Sequence, residues 1–299
     1  MPYASVNNCQ LFYQTADQGT PVVYIHGGFA SLDTLLRARH RIEWDWEHDF
    51  AATFQFISYD RRGCYRSSSP DSGYDLVTQA HDLAALLDHL MIERAHLIGS
   101  SAGGPIAMLF AAIHPAPTRS LILVGTAIDL FPLGEPGSDL VRQQLVILER
   151  DGAEAAFDHR PAGVEVTFAE LWDEPEARAR GELDAYRRRQ QQWRTQAQNL
   201  PKAERVQYYA TELRNMQAYM TTTIPAFAAA VNVPTYIMHG SQDQMVPLAD
   251  AQQLARIIPG AQLQVVAGGS HTLIARSADA RRQVTTWIQQ VETRSNHSD

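Results

Sequence analysis

Cysteine is scarce in this chain of 299 residues, which has only Cys9 and Cys64. Two cysteines are too few for a disulfide framework, and their wide separation does not match the paired spacing of a zinc site. A reducing compartment is the simplest interpretation, so we expect a cytoplasmic protein. The N-terminus lacks a basic stretch followed by an apolar one, and no signal peptide is therefore predicted.

Long apolar runs and excess positive charge are also missing. No run approaches the roughly 18 apolar residues that span a bilayer, so we expect no membrane partner. The chain has 25 Lys and Arg against 33 Asp and Glu, which gives a formal net charge of −8. A surface of this sign repels phosphate backbones and argues against nucleic acid as a partner. The sequence leaves the oligomeric state open.

Short apolar runs alternate with amphipathic stretches along most of the chain. Most runs are apolar at consecutive positions, which is typical of strands buried on both faces of a parallel sheet. The predicted strands are 21–25, 54–59, 95–98, 120–124, 234–238 and 261–266, and the predicted helices between and after them are 76–90, 105–114, 248–258 and 278–291. This alternation predicts a mostly parallel α/β sheet flanked by helices. Segment 4–15, with adjacent asparagines at 7 and 8, predicts an antiparallel hairpin at the sheet edge.

The alternation stops between residues 131 and 230, where no strand is predicted. This stretch is rich in Ala, Glu, Arg and Gln, and its helical windows are 140–150, 175–194 and 203–222. It is far longer than a crossover requires, although a long crossover with no special role is the alternative. We therefore predict one α/β core formed by 1–130 and 231–299, with an all-helical cap inserted at 131–230.

A candidate nucleophile follows the apolar run that begins at residue 95. Positions 99–103 read Gly-Ser-Ser-Ala-Gly and lead into a helical pattern. A serine centred in Gly-x-Ser-x-Gly between a strand and a helix sits on a sharp turn whose neighbours must be small. Ser101 meets this requirement, and its hydroxyl would project above the sheet. Ser100 is the rival nucleophile, but its flanking residues fit the steric template less well.

With this motif the chain resembles the α/β-hydrolase superfamily, over nearly its whole length and least in the cap. The resemblance implies an eight-stranded, mostly parallel sheet and a serine nucleophile at Ser101. It extends to the sequence His-Gly-Gly-Phe at 26–29. In the family this loop supplies one backbone N–H of the oxyanion hole, here from Gly28, and the residue after the nucleophile, here Ala102, supplies the other. His26 is structural in the family.

A third stretch, Asp-Arg-Arg-Gly-Cys-Tyr-Arg-Ser at 60–67, resembles the family's D-x-R-G-x-G-x-S loop. This loop is mainly architectural in the family. Tyr65 replaces the second glycine, so the local backbone is expected to differ, and the Tyr65 ring could reach the pocket.

The base and the acid are expected in the last two loops that follow strands. A serine hydroxyl needs a base to take its proton, and the base needs a partner that fixes its tautomer. The resemblance places the base at His271, before the final helix, and the acid at Asp243, in a segment similar to the family's G-x-x-D-x-x-V-P. The order serine, acid, histidine is the one that this fold uses. Asp129 is the alternative acid, and His239 is interpreted as a packing residue.

These residues imply a serine hydrolase that forms an acyl-enzyme on Ser101, with a small-molecule substrate and no need for a cofactor or metal. A carboxylic ester or lactone is the favoured substrate class. Proline iminopeptidases have a similar cap but usually carry tryptophan where Ala102 stands. Carbon–carbon bond hydrolases of the fold usually show H-G-x-G-P-G, from which Phe29 and the residues after it depart. A ligand receptor that retains the triad is a further alternative.

Aromatic residues of the cap could line an apolar pocket or fix the cap to the core, and we favour packing for most of them. They are Trp172, Tyr186, Trp193, Tyr208, Tyr209 and Tyr219.

Overall fold

The computed structural model describes residues 2–16, 18–29, 47–164, 167–168 and 170–295. Within these residues, eight strands form one sheet in the order β1-β2-β4-β3-β5-β6-β7-β8. The strands are β1 (Tyr3–Val6), β2 (Cys9–Thr15), β3 (Pro21–Ile25), β4 (Gln55–Tyr59), β5 (Ala95–Ser100), β6 (Thr118–Val124), β7 (Thr235–Gly240) and β8 (Gln262–Val266). Strand β2 pairs antiparallel with β1 and β4, and every other pairing is parallel. The predicted eight-stranded, mostly parallel sheet is confirmed.

The antiparallel hairpin lies at the sheet edge, as the sequence predicts. Its turn residues Asn7 and Asn8 have φ angles of 42° and 58°. Two consecutive left-handed residues define a turn whose twist matches that of the flanking strands, and asparagine tolerates this conformation better than most residues.

Helices cover both faces of the sheet. The described helices are α1 (Glu47–Ala51), α2 (Leu76–His89), α3 (Gly103–Ile113), α4 (Pro136–Asp151), α5 (Ala153–Asp158), α6 (Glu170–Ala179), α7 (Leu183–Gln198), α8 (Lys202–Met220), α9 (Ile224–Ala228), α10 (Leu248–Ile257), α11 (Leu273–Arg276) and α12 (Ala278–Ser295). None of these described helices is long and apolar enough to cross a membrane.

Strand β3 illustrates how the core divides into two apolar layers. Val23 and Ile25 belong to the larger cluster, which also includes side chains of α2 and α3. Val22 and Tyr24 belong to the smaller cluster, with residues of α12. Because successive side chains of a strand point to opposite faces, a continuous apolar run is what a sheet covered on both sides requires.

Strand β8 departs from this pattern. Its residues are half-buried or exposed, and Val265 is 36% exposed. The cause is its position, because β8 is the last strand of the sheet and has one neighbour, β7. The sequence of β8 fits this position, since Gln262 and Gln264 interrupt its apolar residues.

Helices α4–α9 lie between β6 and β7, and the described residues of this insertion contain no strand. The predicted window 175–194 was wrong as one helix: α6 and α7 are separated at Gly181, whose φ of +70° is left-handed. Glycine adopts this conformation without steric cost and commonly ends a helix. The short helices α5 and α9 were not predicted. The cap boundaries at residues 131 and 230 remain a prediction.

A buried ion pair fixes the loop that follows β4. Arg62 Nε and Nη2 each donate to a carboxylate oxygen of Asp82 on α2 at 2.8 Å, and both side chains are 2% exposed.

Tyr65, at the position where the family that this chain resembles has glycine, has a φ of +45°. Its ring packs against that of His26, with centroids 5.1 Å apart. The Tyr65 backbone is thus left-handed, a conformation that glycine adopts without a Cβ penalty.

Candidate active site

Ser101 occupies the sharp turn between β5 and α3. Its φ of +49° lies in the left-handed region, which costs a residue with a side chain roughly 1–2 kcal/mol. Hydrogen bonds on both sides hold it there: its N–H donates to the Val124 carbonyl at 2.9 Å, and its carbonyl accepts from the Gly104 N–H at 2.9 Å and from Thr126 Oγ1 at 2.8 Å. Strain that the surroundings impose on one residue is typical of functional sites.

The glycines around Ser101 are required by close packing. A Cβ atom on Gly99 would lie 2.8 Å from the Cβ of Ala107, and one on Gly103 would collide with the carbonyl oxygen of Ile25. Approaches below 3.0 Å do not occur for real Cβ atoms, and a backbone carbonyl cannot move aside. The pentapeptide pattern therefore follows from how tightly β3, β5 and α3 meet.

Asp243 and His271 form a hydrogen-bonded pair beyond the ends of β7 and β8. His271 Nδ1 lies 2.9 Å from Asp243 Oδ2, and the two side chains are 10% and 1% exposed. The other carboxylate oxygen, Oδ1, accepts the N–H groups of Met245 at 2.9 Å and Val246 at 2.8 Å. The carboxylate is therefore held through Oδ2 by the imidazole and through Oδ1 by two backbone donors.

These contacts set the ionisation of the pair. Burial opposes ionisation of Asp243, but the hydrogen bond and charge of His271 and the two backbone N–H donors outweigh it, so the pKa of Asp243 lies below its ordinary value. Burial alone would lower the pKa of His271. The hydrogen bond and charge of Asp243, with the charges of Glu176 and Asp173, hold that pKa above its ordinary value of 6.5.

Gly125 links the serine turn to the acid–histidine pair. Its neighbours, Val124 and Thr126, both hydrogen-bond to Ser101. A Cβ atom on Gly125 would lie 3.4 Å from both Asp243 Oδ2 and His271 Nδ1. The structure thus brings all three predicted residues together around Gly125. The Ser101 hydroxyl makes no hydrogen bond within the described chain, and such bonds are often long until substrate binds.

The two predicted oxyanion donors lie in the loop after β3 and at the start of α3. Neither the Gly28 N–H nor the Ala102 N–H has an acceptor among the residues that the structure describes. Glycine at position 27 allows this loop to approach the serine closely, because a Cβ there would lie 2.7 Å from Ser101 Cβ. Ala102 precedes the first turn of α3, where backbone N–H groups are unpaired and the helix dipole favours negative charge.

Tyr219 and Arg61 support these donor residues and were not identified as site residues from the sequence. Tyr219, on α8 of the insertion, donates its hydroxyl to the Ala102 carbonyl at 2.7 Å and accepts from Arg61 Nη1 at 3.1 Å. Arg61 also donates to the Gly28 carbonyl. Burial, opposed by the charge of Arg61, raises the pKa of Tyr219 to about 12, so its hydroxyl keeps its proton. Arginine and tyrosine at this sequence spacing carry no recognisable motif.

The alternative candidates have other partners. Asp129 Oδ1 accepts the N–H of Phe131 at 2.9 Å, and no bond to His271 is found among its described contacts. His239 is fully buried; its Nε2 lies 3.0 Å from the Val246 carbonyl oxygen and, farther away, 3.6 Å from Asp243 Oδ2. His26 Nε2 accepts the Arg61 N–H at 3.1 Å, a structural contact.

The aromatic residues of the insertion mostly pack. Tyr186, Trp193 and Tyr209 are at most 5% exposed, and Tyr209 donates to Gln144 at 2.9 Å. The Trp172 side chain lies outside the described residues. No group of three or more His, Cys, Asp or Glu in the described chain is arranged to hold a metal ion.

Comparison with known proteins agrees with this architecture. The model of the α/β-hydrolase fold family matches residues 20–276. A putative non-heme chloroperoxidase from Synechocystis sp. is 27% identical over 293 residues, covering 93% of this chain and 96% of the relative. The chain therefore belongs to the α/β-hydrolase fold family, and we assign it hydrolase activity.

Two solved structures show the same fold. Est816, described as an N-acyl homoserine lactone degrading enzyme, has a TM-score of 0.67 at 22% identity, and the match covers 95% of this chain and 99% of the Est816 chain. The enol-lactonase from Burkholderia xenovorans has a TM-score of 0.63 at 20% identity, and the match covers 98% of this chain and 100% of the lactonase chain.

Proposed function

We propose that this enzyme hydrolyses a carboxylic ester or lactone of a small molecule through an acyl-enzyme on Ser101. The observation that carries the proposal is the strained Ser101 backbone, held beside the 2.9 Å hydrogen bond between Asp243 and His271. Strain of this kind is tolerated where it has a use. The lactone-cleaving names of the two structural neighbours support the choice of substrate class.

In the proposed mechanism, His271 Nε2 takes the Ser101 proton as Oγ attacks the carbonyl carbon. The N–H groups of Gly28 and Ala102 stabilise the oxyanion, and two fixed donors of this kind typically contribute several kcal/mol. His271 then gives its proton to the leaving alkoxide. Water, deprotonated by His271, attacks the acyl-enzyme and regenerates the Ser101 hydroxyl. Asp243 keeps the second imidazole proton on Nδ1 throughout.

We further propose that the helical insertion, predicted at 131–230, acts as a cap over this site. Its contact with the donor residues supports this role, because the Tyr219 hydroxyl on α8 binds the Ala102 carbonyl at 2.7 Å. A peptidase substrate is less well supported, since Ala102 replaces the tryptophan of the iminopeptidase pattern.

Fluorophosphonate labelling tests the proposal directly. We expect intact-protein mass spectrometry to show one adduct and peptide mapping to place it on Ser101. Turnover is then measured with p-nitrophenyl acetate and butyrate, an acyl-homoserine lactone and an aminoacyl p-nitroanilide, and we expect the esters and the lactone to be hydrolysed. An adduct on Ser100, or labelling without repeated turnover of any ester or lactone, would contradict it, and the second result would favour a ligand receptor.

The rate should depend on pH through His271. The base must be neutral to accept the serine proton, and its pKa is raised by Asp243, Glu176 and Asp173. We therefore expect kcat/KM for p-nitrophenyl acetate to be low in acid and to rise through a midpoint above 6.5, the ordinary value for imidazole. Rates are followed at the isosbestic wavelength of nitrophenol and nitrophenolate, so that ionisation of the product does not affect the signal. A midpoint below 6.5 would show that His271 is not the base or that its acidic neighbours do not act on it.

A further inference from the structure

Glu176 joins the helical insertion to both loops that carry the acid and the base. It lies on α6 and is 2% exposed. Its Oε1 accepts the backbone N–H of His271 at 2.8 Å, and its Oε2 accepts the backbone N–H of Gln244 at 3.2 Å. One carboxylate therefore holds the histidine itself and the residue that follows Asp243.

A carboxylate this deeply buried needs compensation, because burial of an unpaired charge is costly. Besides the two N–H donors, Arg180 Nη1 lies 3.0 Å from Oε1, and the Arg180 side chain is 16% exposed. Arg180 also pairs with Glu182 at 3.2 Å. The Glu176 carboxylate is therefore held by one shared arginine and two backbone donors. Because its two oxygens bind different loops, it restrains both loops relative to α6.

We propose that Glu176 is a positioning residue that aligns the Asp243 and His271 loops when the insertion is seated on the core. The inference rests on the proposed function, because it assumes that Asp243 and His271 act as acid and base. Glu176 would then add, from the insertion, a restraint on the acid–base pair that the hydrogen bonds within the core do not supply. This restraint couples the seating of the insertion to the rate of the chemical step.

Glu176 also acts on His271 through its charge. The charged groups that face the imidazole are Asp243 from the core and Glu176 and Asp173 from α6, and together they hold the pKa of His271 above its ordinary value against the opposing effect of burial. Arg180 neutralises part of the Glu176 charge. The two roles can be separated, because alignment governs the maximal rate and charge governs the pH at which the rate rises.

The test is Glu176→Gln, which keeps the shape but removes the charge and turns one acceptor into a donor that faces a backbone N–H. We expect kcat at alkaline pH to fall about 10- to 100-fold, as for a misaligned catalytic group, with KM within about twofold. The midpoint of the pH dependence of kcat/KM should move to lower pH.

The matched control is Glu174→Gln on the same helix. The Glu174 carboxylate pairs with Arg178 at 3.0 Å and Arg187 at 2.8 Å. This variant should behave as wild type.

Arg180→Gln provides a second route if Glu176→Gln fails to fold. Removal of the guanidinium leaves the Glu176 charge less compensated, so the midpoint should move to higher pH. Unchanged kcat and pH profile in Glu176→Gln, with an active wild type, would overturn the inference. So would a lower melting temperature with unchanged kcat and pH profile, which indicates a structural role alone. An inactive wild type would instead overturn the proposed function.

Discussion

Replacement of Ser101 by alanine is expected to lower kcat for ester hydrolysis about 10⁶-fold, as when the nucleophile of another serine hydrolase is removed. Without Oγ no acyl-enzyme forms, and the remaining rate comes from the oxyanion donors and substrate binding. Alanine at position 101 has the same steric cost in the left-handed conformation as serine, so the free energy of unfolding should change little. The fluorophosphonate adduct should disappear in parallel with turnover.

Ser100→Ala is the matched control, because it removes a hydroxyl one position earlier, at the last residue of β5. It should retain the adduct and most of the activity. Ser101→Gly adds a test of strain: it should be as inactive as Ser101→Ala but about 1 kcal/mol more stable, because glycine adopts a φ of +49° without the Cβ penalty. Urea unfolding measures the difference. Activity that survives in Ser101→Ala and vanishes in Ser100→Ala would reverse the assignment of the nucleophile.

The sheet and the serine turn were predictable because their constraints are local. Apolar runs such as Pro21–Ile25 mark strands, and the sequence has glycine at position 103, where a Cβ would clash with the Ile25 carbonyl oxygen. The place of each strand in the sheet is not a local property, and the edge position of β8 follows from the strand order. The split between α6 and α7 depends on one left-handed glycine, Gly181, inside an otherwise continuous helical pattern.

The contacts that surround the candidate triad were not predictable, because they join distant parts of the chain. Glu176 reaches His271 across 95 positions, and Tyr219 reaches Ala102 across 117. Both residues sit in a polar, helix-forming segment where acids and aromatics are common, so neither their type nor their spacing marks them. Their significance depends on which face of each helix turns toward the core, and tertiary packing decides this.

Asp243→Asn is expected to lower kcat about 10⁴-fold, although the side chain changes by one atom type. The reason lies in its hydrogen bonds. Oδ1 accepts the N–H groups of Met245 and Val246 at 2.9 and 2.8 Å, so the amide oxygen of asparagine would have to stay there. The NH₂ group would then replace Oδ2, which faces His271 Nδ1 at 2.9 Å.

An NH₂ group at that position requires Nδ1 to be the acceptor, so the imidazole proton moves to Nε2 and the ring can no longer take the proton of Ser101. Because both backbone donors keep their acceptor, the Asp243→Asn variant should fold, and its melting temperature should stay close to that of the wild type.

Asp129→Asn is the control, since Asp129 Oδ1 accepts the Phe131 N–H at 2.9 Å and asparagine preserves that bond. It should be within about twofold of wild type, because loss of a carboxylate away from His271 leaves the tautomer unchanged. If Asp129→Asn lost the activity and Asp243→Asn kept it, the acid would follow β6 rather than β7, and the geometry around Gly125 would have to rearrange on substrate binding.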